Sequence, residues 1–282
     1  MKIAVSAWSF HAALYAGKLR QSDVPAEVAA LGLRHVELLE MFLWRKPPGI
    51  LQRVLRRARG GTGAAAATAT ADSSRETLNE LRGARLRAGT QLVCWAIDTD
   101  LTAADADMRR EQLAHIGRAI EVARFLGGPL LRITTGGQES DLDAIGRVVE
   151  ALRAVLPAAM ASGVKLAIEN HFGLSADPLV LAEIIQAAHS PHVGVCLDLG
   201  NFREGEAEQG IQALAPHAIH VHAKSYSFGA DGKETNINYR TAMEALRAAG
   251  YDGVLSIEFE GEGDAAQSIR KTRNLIEKYW NR

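Results

Sequence analysis

Eight short apolar runs recur along the chain, most of them separated by segments with helical spacing. They read "KIAVSAW" (2–8), "RHVELLE" (34–40), "TQLVCWAID" (90–98), "PLLRITT" (129–135), "VKLAIEN" (164–170), "HVGVCLDLG" (192–200), "AIHVHAK" (218–224) and "GVLSIEF" (253–259). Strands buried on both faces give nearly continuous hydrophobic runs of this length. Between them lie amphipathic stretches such as "MRREQLAHIGRAIEVARFLG", "DLDAIGRVVEALRAVLPAAMASG" and "AAQSIRKTRNLIEKYW". Gly32, Gly89, Gly127, Gly163 and Gly250 each stand between a helical stretch and the next strand, the place of a helix C-cap.

Strand and helix alternating eight times over 282 residues predicts an α/β chain folded as a closed (β/α)8 TIM barrel, one domain over 1–282. An open doubly wound sheet shares the periodicity. Its nucleotide-binding form needs a glycine-rich turn after the first strand, and the turn here reads "SFHAALYAG". The glycines of "GGTGAAAATATADSS" (60–74) follow no strand and lack the Lys-Ser/Thr ending of a phosphate loop, so residues 41–74 are expected to form an insertion or lid.

Lys and Arg total 32 against 33 Asp and Glu, a balance that offers nothing to a polyanion. The densest basic run, "WRKPPGILQRVLRRARGG" (44–61), reads as a solvated amphipathic helix, and no nucleic-acid partner is expected. The two cysteines, Cys94 and Cys196, fall inside apolar strands, as buried free thiols do. No apolar run approaches the ~20 residues that span a bilayer. The opening residues read as a first strand and not as a signal peptide, so the expected location is cytoplasmic, with no membrane partner.

In such a barrel chemistry gathers at the C-terminal ends of the strands. Strands five to eight end there in Glu169, Asp198, His222 and Glu258. Side chains two apart share a face. Glu169 directed inward carries Ala167 with it, Asp198 carries Cys196, Glu258 carries Ser256, and His222 carries His220 and Lys224. The bulky Leu166, Ile168, Leu255 and Ile257 then face the helices. Three carboxylates brought together repel unless a cation joins them, and with one imidazole they form a donor set for a divalent metal. Mn2+, Mg2+, Co2+ or Zn2+ all suit it. Pairing of each carboxylate with Lys165, Lys224 or an arginine is the competing account. It explains any one position as well, but not four correctly phased positions on consecutive strands.

At these residues the chain resembles the sugar phosphate isomerase/epimerase superfamily, the xylose isomerase-like TIM barrels, and within it the bacterial ketose epimerases, hydroxypyruvate isomerase and inosose-processing enzymes. The resemblance rests on "IENH" (168–171), "LDLGN" (197–201), "HVHAK" (220–224) and "AGYDGVLSIEFEG" (249–261), with "SAWSFHAAL" (6–14), "VELLEMFL" (36–43) and "LRITTG" (131–136) in support. It implies one divalent ion on Glu169, Asp198, His222 and Glu258. It also implies a proton exchanged beside a substrate carbonyl by Glu169 and Glu258, through a cis-enediolate, on a small sugar or polyol-derived substrate. A homo-oligomer is implied as well. The chain departs from the pattern in three ways. Asn201 stands where a histidine often follows the strand-six Asp, and Ser225 stands where an acidic residue follows Lys224. A substrate-binding arginine is missing near strand seven, with Arg203 and Arg240 as substitutes.

Around this core, Lys224 is assigned a catalytic place, holding a substrate oxygen or neutralising Glu258, because a lysine inside a barrel mouth needs a partner. Trp8 and His11 are expected to offer a wall to the C–H face of a sugar, and Asn201, Glu260, Arg132 and His171 to contact substrate. His220 is either a support for a ligand or a satisfied core histidine. Of Glu37 and Glu40, one faces the mouth. Two other chemistries share the residues. A lyase of the inosose dehydratase type starts from the same proton abstraction. An endonuclease IV-like phosphodiesterase needs further histidines, where this chain has Trp95, Asp98 and Asn201. A sugar-binding barrel without catalysis is the remaining reading.

Overall fold

The computed structural model describes residues 1–43 and 71–281. Among these residues eight parallel strands close in chain order, with the last paired back onto the first. They are β1 (Lys2–Ser6), β2 (His35–Leu39), β3 (Gln91–Ala96), β4 (Leu130–Ile133), β5 (Lys165–Glu169), β6 (Val193–Asp198), β7 (Ala218–Ser225) and β8 (Val254–Phe259). Seven lie inside one of the apolar runs, and β7 extends its run by one residue, Ser225. The barrel predicted from the alternation is therefore the observed architecture. The lid expected over 41–74 falls mostly outside the described residues, although its end opens the helix Ala71–Arg87.

That helix had no clear hydrophobic stripe to announce it. Charged residues recur along its sequence, and among its described side chains Leu81 is the one buried fully. The longer helices follow the expected spacing: Ala106–Leu126, Ala144–Ser162, Pro178–Ala188, Tyr239–Ala248 and Ala265–Trp280. Asp105, Asp177 and Asp264 cap three of them by accepting first-turn backbone N–H groups that have no partner within the helix. All five glycines predicted at helix ends have positive φ, between 63° and 77°.

The strands divide the core in two. Val36, Leu38, Leu131, Ile133, Leu166, Ile168, Leu197, Val221, Leu255 and Ile257 pack outward against the helices. A smaller cluster of Ala4, Val93, Cys94, Leu130, Ala167 and Cys196 fills the inside. The alternation therefore falls as the charged strand ends require, with bulk outside and small side chains within. Register shifts at Val36/Glu37 and Val195/Cys196 set Glu37 beside Cys94 and Cys196 beside His220.

Beyond the strand ends, the loops after β4 and β5 touch through a bridge between Gly136 and Gly173. Gly173 has φ 82° and ψ −144°. A Cβ built there would lie 2.4 Å from the Gly136 carbonyl oxygen. Both the conformation and the clash exclude a side chain. Gly173→Ala is expected to destabilise the chain by about 2–3 kcal/mol, read as a lower urea midpoint with an unchanged slope. An unaltered midpoint would mean that the two loops separate freely.

Candidate active site

The ends of β5 to β8 place Glu169, Asp198, His222 and Glu258 in the barrel mouth, all of them buried. One donor atom from each lies within 4.8 Å of the other three. His222 Nδ1 is 3.2 Å from Glu258 Oε2, 3.3 Å from Glu169 Oε1 and 3.6 Å from Asp198 Oδ2. Four buried atoms here, Glu169 Oε2, Asp198 Oδ2, His222 Nδ1 and Glu258 Oε2, make no hydrogen bond. Buried polar atoms are rarely left so. Three carboxylates and one imidazole nitrogen gathered this closely, with Asp198 Oδ2, His222 Nδ1 and Glu258 Oε2 free of hydrogen bonds, fit a divalent cation.

Neighbouring groups fix each member. Asp198 Oδ1 accepts the Gly200 N–H at 2.7 Å, which leaves Oδ2 for the cluster. Asn170 runs between the two strand ends. Its Nδ2 donates to the Asp198 carbonyl at 2.9 Å, and its Oδ1 accepts the Asp198 N–H at 2.7 Å. The asparagine of "IENH" thus continues the β5–β6 ladder with its side chain, a role the sequence did not reveal. Gly200 of "LDLGN" is glycine because the Lys224 stem crosses it. A Cβ there would meet Lys224 Cγ at 2.6 Å.

Cations are present, but too few. Lys224 Nζ lies 2.8 Å from Glu258 Oε2 and 3.0 Å from Asp198 Oδ2, without hydrogen-bond alignment to either, and donates to Glu260 Oε2 at 2.9 Å. Arg132 Nε is 3.1 Å from Glu169 Oε2, while its Nη1 binds Asp98 Oδ1 at 2.7 Å. Glu169, Asp198, Glu258, Glu260 and Asp98 therefore share two basic side chains. Lysine and arginine pairing explains part of the arrangement and leaves an excess of negative charge.

Burial and the neighbouring charges act on each group differently. Burial pushes the Glu169 carboxyl up, yet Arg132, His171 and His222 together bring it down to about 2. Burial also opposes ionisation of Glu258, and His222 and Lys224 outweigh it, holding that carboxyl well below its usual range. Asp198 is raised, chiefly by burial. Burial disfavours the His222 imidazolium, but the surrounding anionic groups, Glu258 and Glu37 foremost among the carboxylates, keep its pKa well above the ordinary imidazole value. Its protonated form is thus favoured at neutral pH when no other cation is bound, and that proton must leave before Nδ1 can hold a metal. Affinity for Mn2+ is expected to rise with pH, by up to about tenfold per unit. Binding isotherms at about pH 6 and about pH 8 check this, and a flat or falling profile would show that no proton is displaced.

The remaining predicted contacts take different places. Asn201 Nδ2 donates to Glu169 Oε1 at 3.2 Å, so it supports a member of the cluster. Glu260 stands at the rim on Lys224. Trp8 and His11 stack at the end of β1 with ring centroids 5.2 Å apart, and Trp8 also meets Phe42 at 5.9 Å. They form an aromatic edge on the same mouth. His171 lies half-buried in the loop after β5, edge-on to Phe172 at 4.6 Å and near enough to Glu169 to lower its carboxyl. Arg203 pairs with Glu139 and Glu206, and Arg240 lies over the Tyr279 ring.

The choice between Glu37 and Glu40 is resolved. Glu40 faces away and pairs with His115 at 2.6 Å. Glu37 is fully buried inside the barrel and takes hydrogen bonds from His220, His222 and Ser6. His220 is thereby a satisfied interior histidine. In sequence, the fact that β2 ends at Leu39 separates the two glutamates, because only Glu37 then keeps the inward phase of the strand.

Residues 25–279 match the family described as xylose isomerase-like TIM barrel. An uncharacterised protein of Methanocaldococcus jannaschii, MJ1311, is 32% identical over 128 residues, which is 41% of this chain and 43% of that protein. The chain thus matches under half the length of this curated relative. Among solved structures, an L-ribulose 3-epimerase superposes with a TM-score of 0.74 at 17% identity, covering 100% of this chain and 95% of that one. The IolI protein with a bound zinc atom gives 0.73 at 15%, covering 100% of both. The probable 3-DHS dehydratase AsbF of Bacillus anthracis gives 0.66 at 15%, covering 98% of both. At these identities the likeness is one of fold.

Proposed function

This chain belongs to the xylose isomerase-like TIM barrel family, and on that premise we propose that it is a divalent-metal-dependent isomerase or epimerase of a small polyhydroxy carbonyl compound. The observation that carries the reading is the convergence of Glu169, Asp198, His222 and Glu258, whose donor atoms lie within 4.8 Å of one another, with Asp198 Oδ2, His222 Nδ1 and Glu258 Oε2 buried and without hydrogen bonds. These four residues would hold the ion. When bound, it supplies Lewis acidity toward the carbonyl and adjacent hydroxyl oxygens of the substrate.

The remaining work belongs to the side chains. Glu169 and Glu258 reach the mouth from β5 and β8, strands that are not neighbours in the barrel. Both are held ionised, so either can accept the proton on the carbon beside the carbonyl. The resulting cis-enediolate is flat. Once solvent has supplied a proton to the opposite carboxyl, its transfer to the intermediate inverts that carbon, and return of the abstracted proton to the neighbouring carbon interconverts aldose and ketose. Arg132 and Asn201 keep Glu169 oriented, and Lys224 does the same for Glu258. Trp8 and His11 offer an apolar edge for the C–H face of a sugar.

The test joins metal analysis with solvent deuterium exchange on a panel of ketoses, inososes and hydroxypyruvate. Deuterium is expected at the carbon beside the carbonyl of the true substrate, and the exchange is expected to stop in dialysed, metal-free protein. Exchange accompanied by loss of water would assign the lyase chemistry instead. Absence of both metal and exchange across the panel would refute the proposal.

A further inference from the structure

Glu37 stands on β2, yet its partners His220 and His222 stand on β7, across the barrel interior. The carboxylate reaches them because the interior around it is narrow-chained: Ala4, Ala167, Cys94, Cys196 and Ser256 are all small and fully buried. Its oxygens are divided between the two rings. Oε2 meets His220 Nε2 at 2.6 Å, and Oε1 meets His222 Nε2 at 2.9 Å while also accepting from Ser6 Oγ at 3.2 Å. The rings lie 5.4 Å apart and nearly perpendicular, at 83°. His222 is thus gripped on one nitrogen by Glu37 and presents the other, Nδ1, to Glu169, Asp198 and Glu258.

We propose that Glu37 is a positioning residue that fixes the tautomer and the angle of His222, and so sets the affinity of the site for its metal. The inference rests on the metal reading above. An ionised carboxylate only accepts hydrogen bonds, so both imidazoles must direct an N–H toward it. For a neutral His222 this places the proton on Nε2 and leaves the Nδ1 lone pair free for a cation. Carboxylates in this position beside a ligating histidine orient the ring and raise its basicity. Glutamine in place of Glu37 offers one acceptor oxygen and one NH2 group. It can satisfy one imidazole N–H, and its own N–H groups oppose the other ring. His222 then loses either its orientation or its tautomer. His220 completes the device by occupying Oε2, which keeps the carboxylate from turning away.

Metal-stripped wild-type protein and Glu37→Gln are titrated with Mn2+ by equilibrium dialysis, with far-ultraviolet circular dichroism to confirm folding. The variant is expected to bind about 10–100-fold more weakly. A folded variant with wild-type affinity would overturn the proposal. Should the variant not fold, nitrogen-15 NMR of the histidines in zinc-loaded wild-type protein decides. Zinc on Nδ1 of His222 with a protonated Nε2 supports the assignment, and zinc on Nε2 overturns it. Wild-type protein that binds neither ion removes the metal reading itself and this inference with it. Wild-type binding with an unchanged variant removes this inference alone.

Discussion

Glu258→Gln is expected to abolish conversion of substrate to product, lowering kcat by about 10³-fold, while leaving deuterium wash-in on one face of the substrate. Glutamine has nearly the size of glutamate and can still receive Lys224, but it cannot accept a carbon-bound proton at neutral pH. In a mechanism with two bases, each carboxylate serves one face. With Glu258 neutralised, Glu169 still removes and returns the proton on its own side. Proton NMR in D2O then shows loss of the substrate signal without appearance of the epimer. Glu169→Gln is expected to give the mirror result with the opposite epimer as substrate, and the double variant neither. Both positions also offer donor atoms to the ion, so metal content is measured on every variant under saturating Mn2+. Full conversion by either single variant with metal bound would show that one carboxylate is not a base.

Removing the cation is expected to have the other large effect, on activity and stability together. Glu169, Asp198 and Glu258 crowd one point with Lys224 and Arg132 as their basic neighbours. Three carboxylates held together repel, and His222 supplies a further positive charge when protonated. Chelation followed by gel filtration is expected to bring turnover to background. It is also expected to lower the thermal midpoint, since an ion present at about a thousandfold over its Kd stabilises the folded chain by about 4 kcal/mol. Reloading with Mn2+ or Co2+ should restore both. Stability that does not respond while activity is lost would place the ion outside this cluster.

Much of this arrangement was legible in the chain. Strands covered on both faces cannot alternate in hydropathy, so the eight apolar runs stood out, and the charged residue at the end of each late strand fixed which parity faces inward. That is why Ala167, Cys196 and Ser256 could be placed inside and Leu166, Ile168, Leu255 and Ile257 outside. Pairings across the barrel were not legible. Nothing in "VELLEM" says that Glu37 meets two histidines almost two hundred residues later, because the contact depends on strand closure and on the register shift beside it. The Arg132–Asp98 pair and the side-chain ladder of Asn170 depend on loop geometry in the same way. The helix Ala71–Arg87 was obscured for another reason. It covers the barrel with few apolar residues, so periodicity had little to register.

Below the charged mouth, the lumen is plugged by Ala4, Val93, Cys94, Leu130, Ala167 and Cys196. Among the described residues, the charged cluster is therefore closed off on its inner side by this plug. Under the proposed function, whatever enters last would stand between the deepest occupant and bulk water, so cargo would be taken on in sequence, cation ahead of sugar. A resident sugar would then act as a cork, and chelators would strip an idle enzyme faster than a working one.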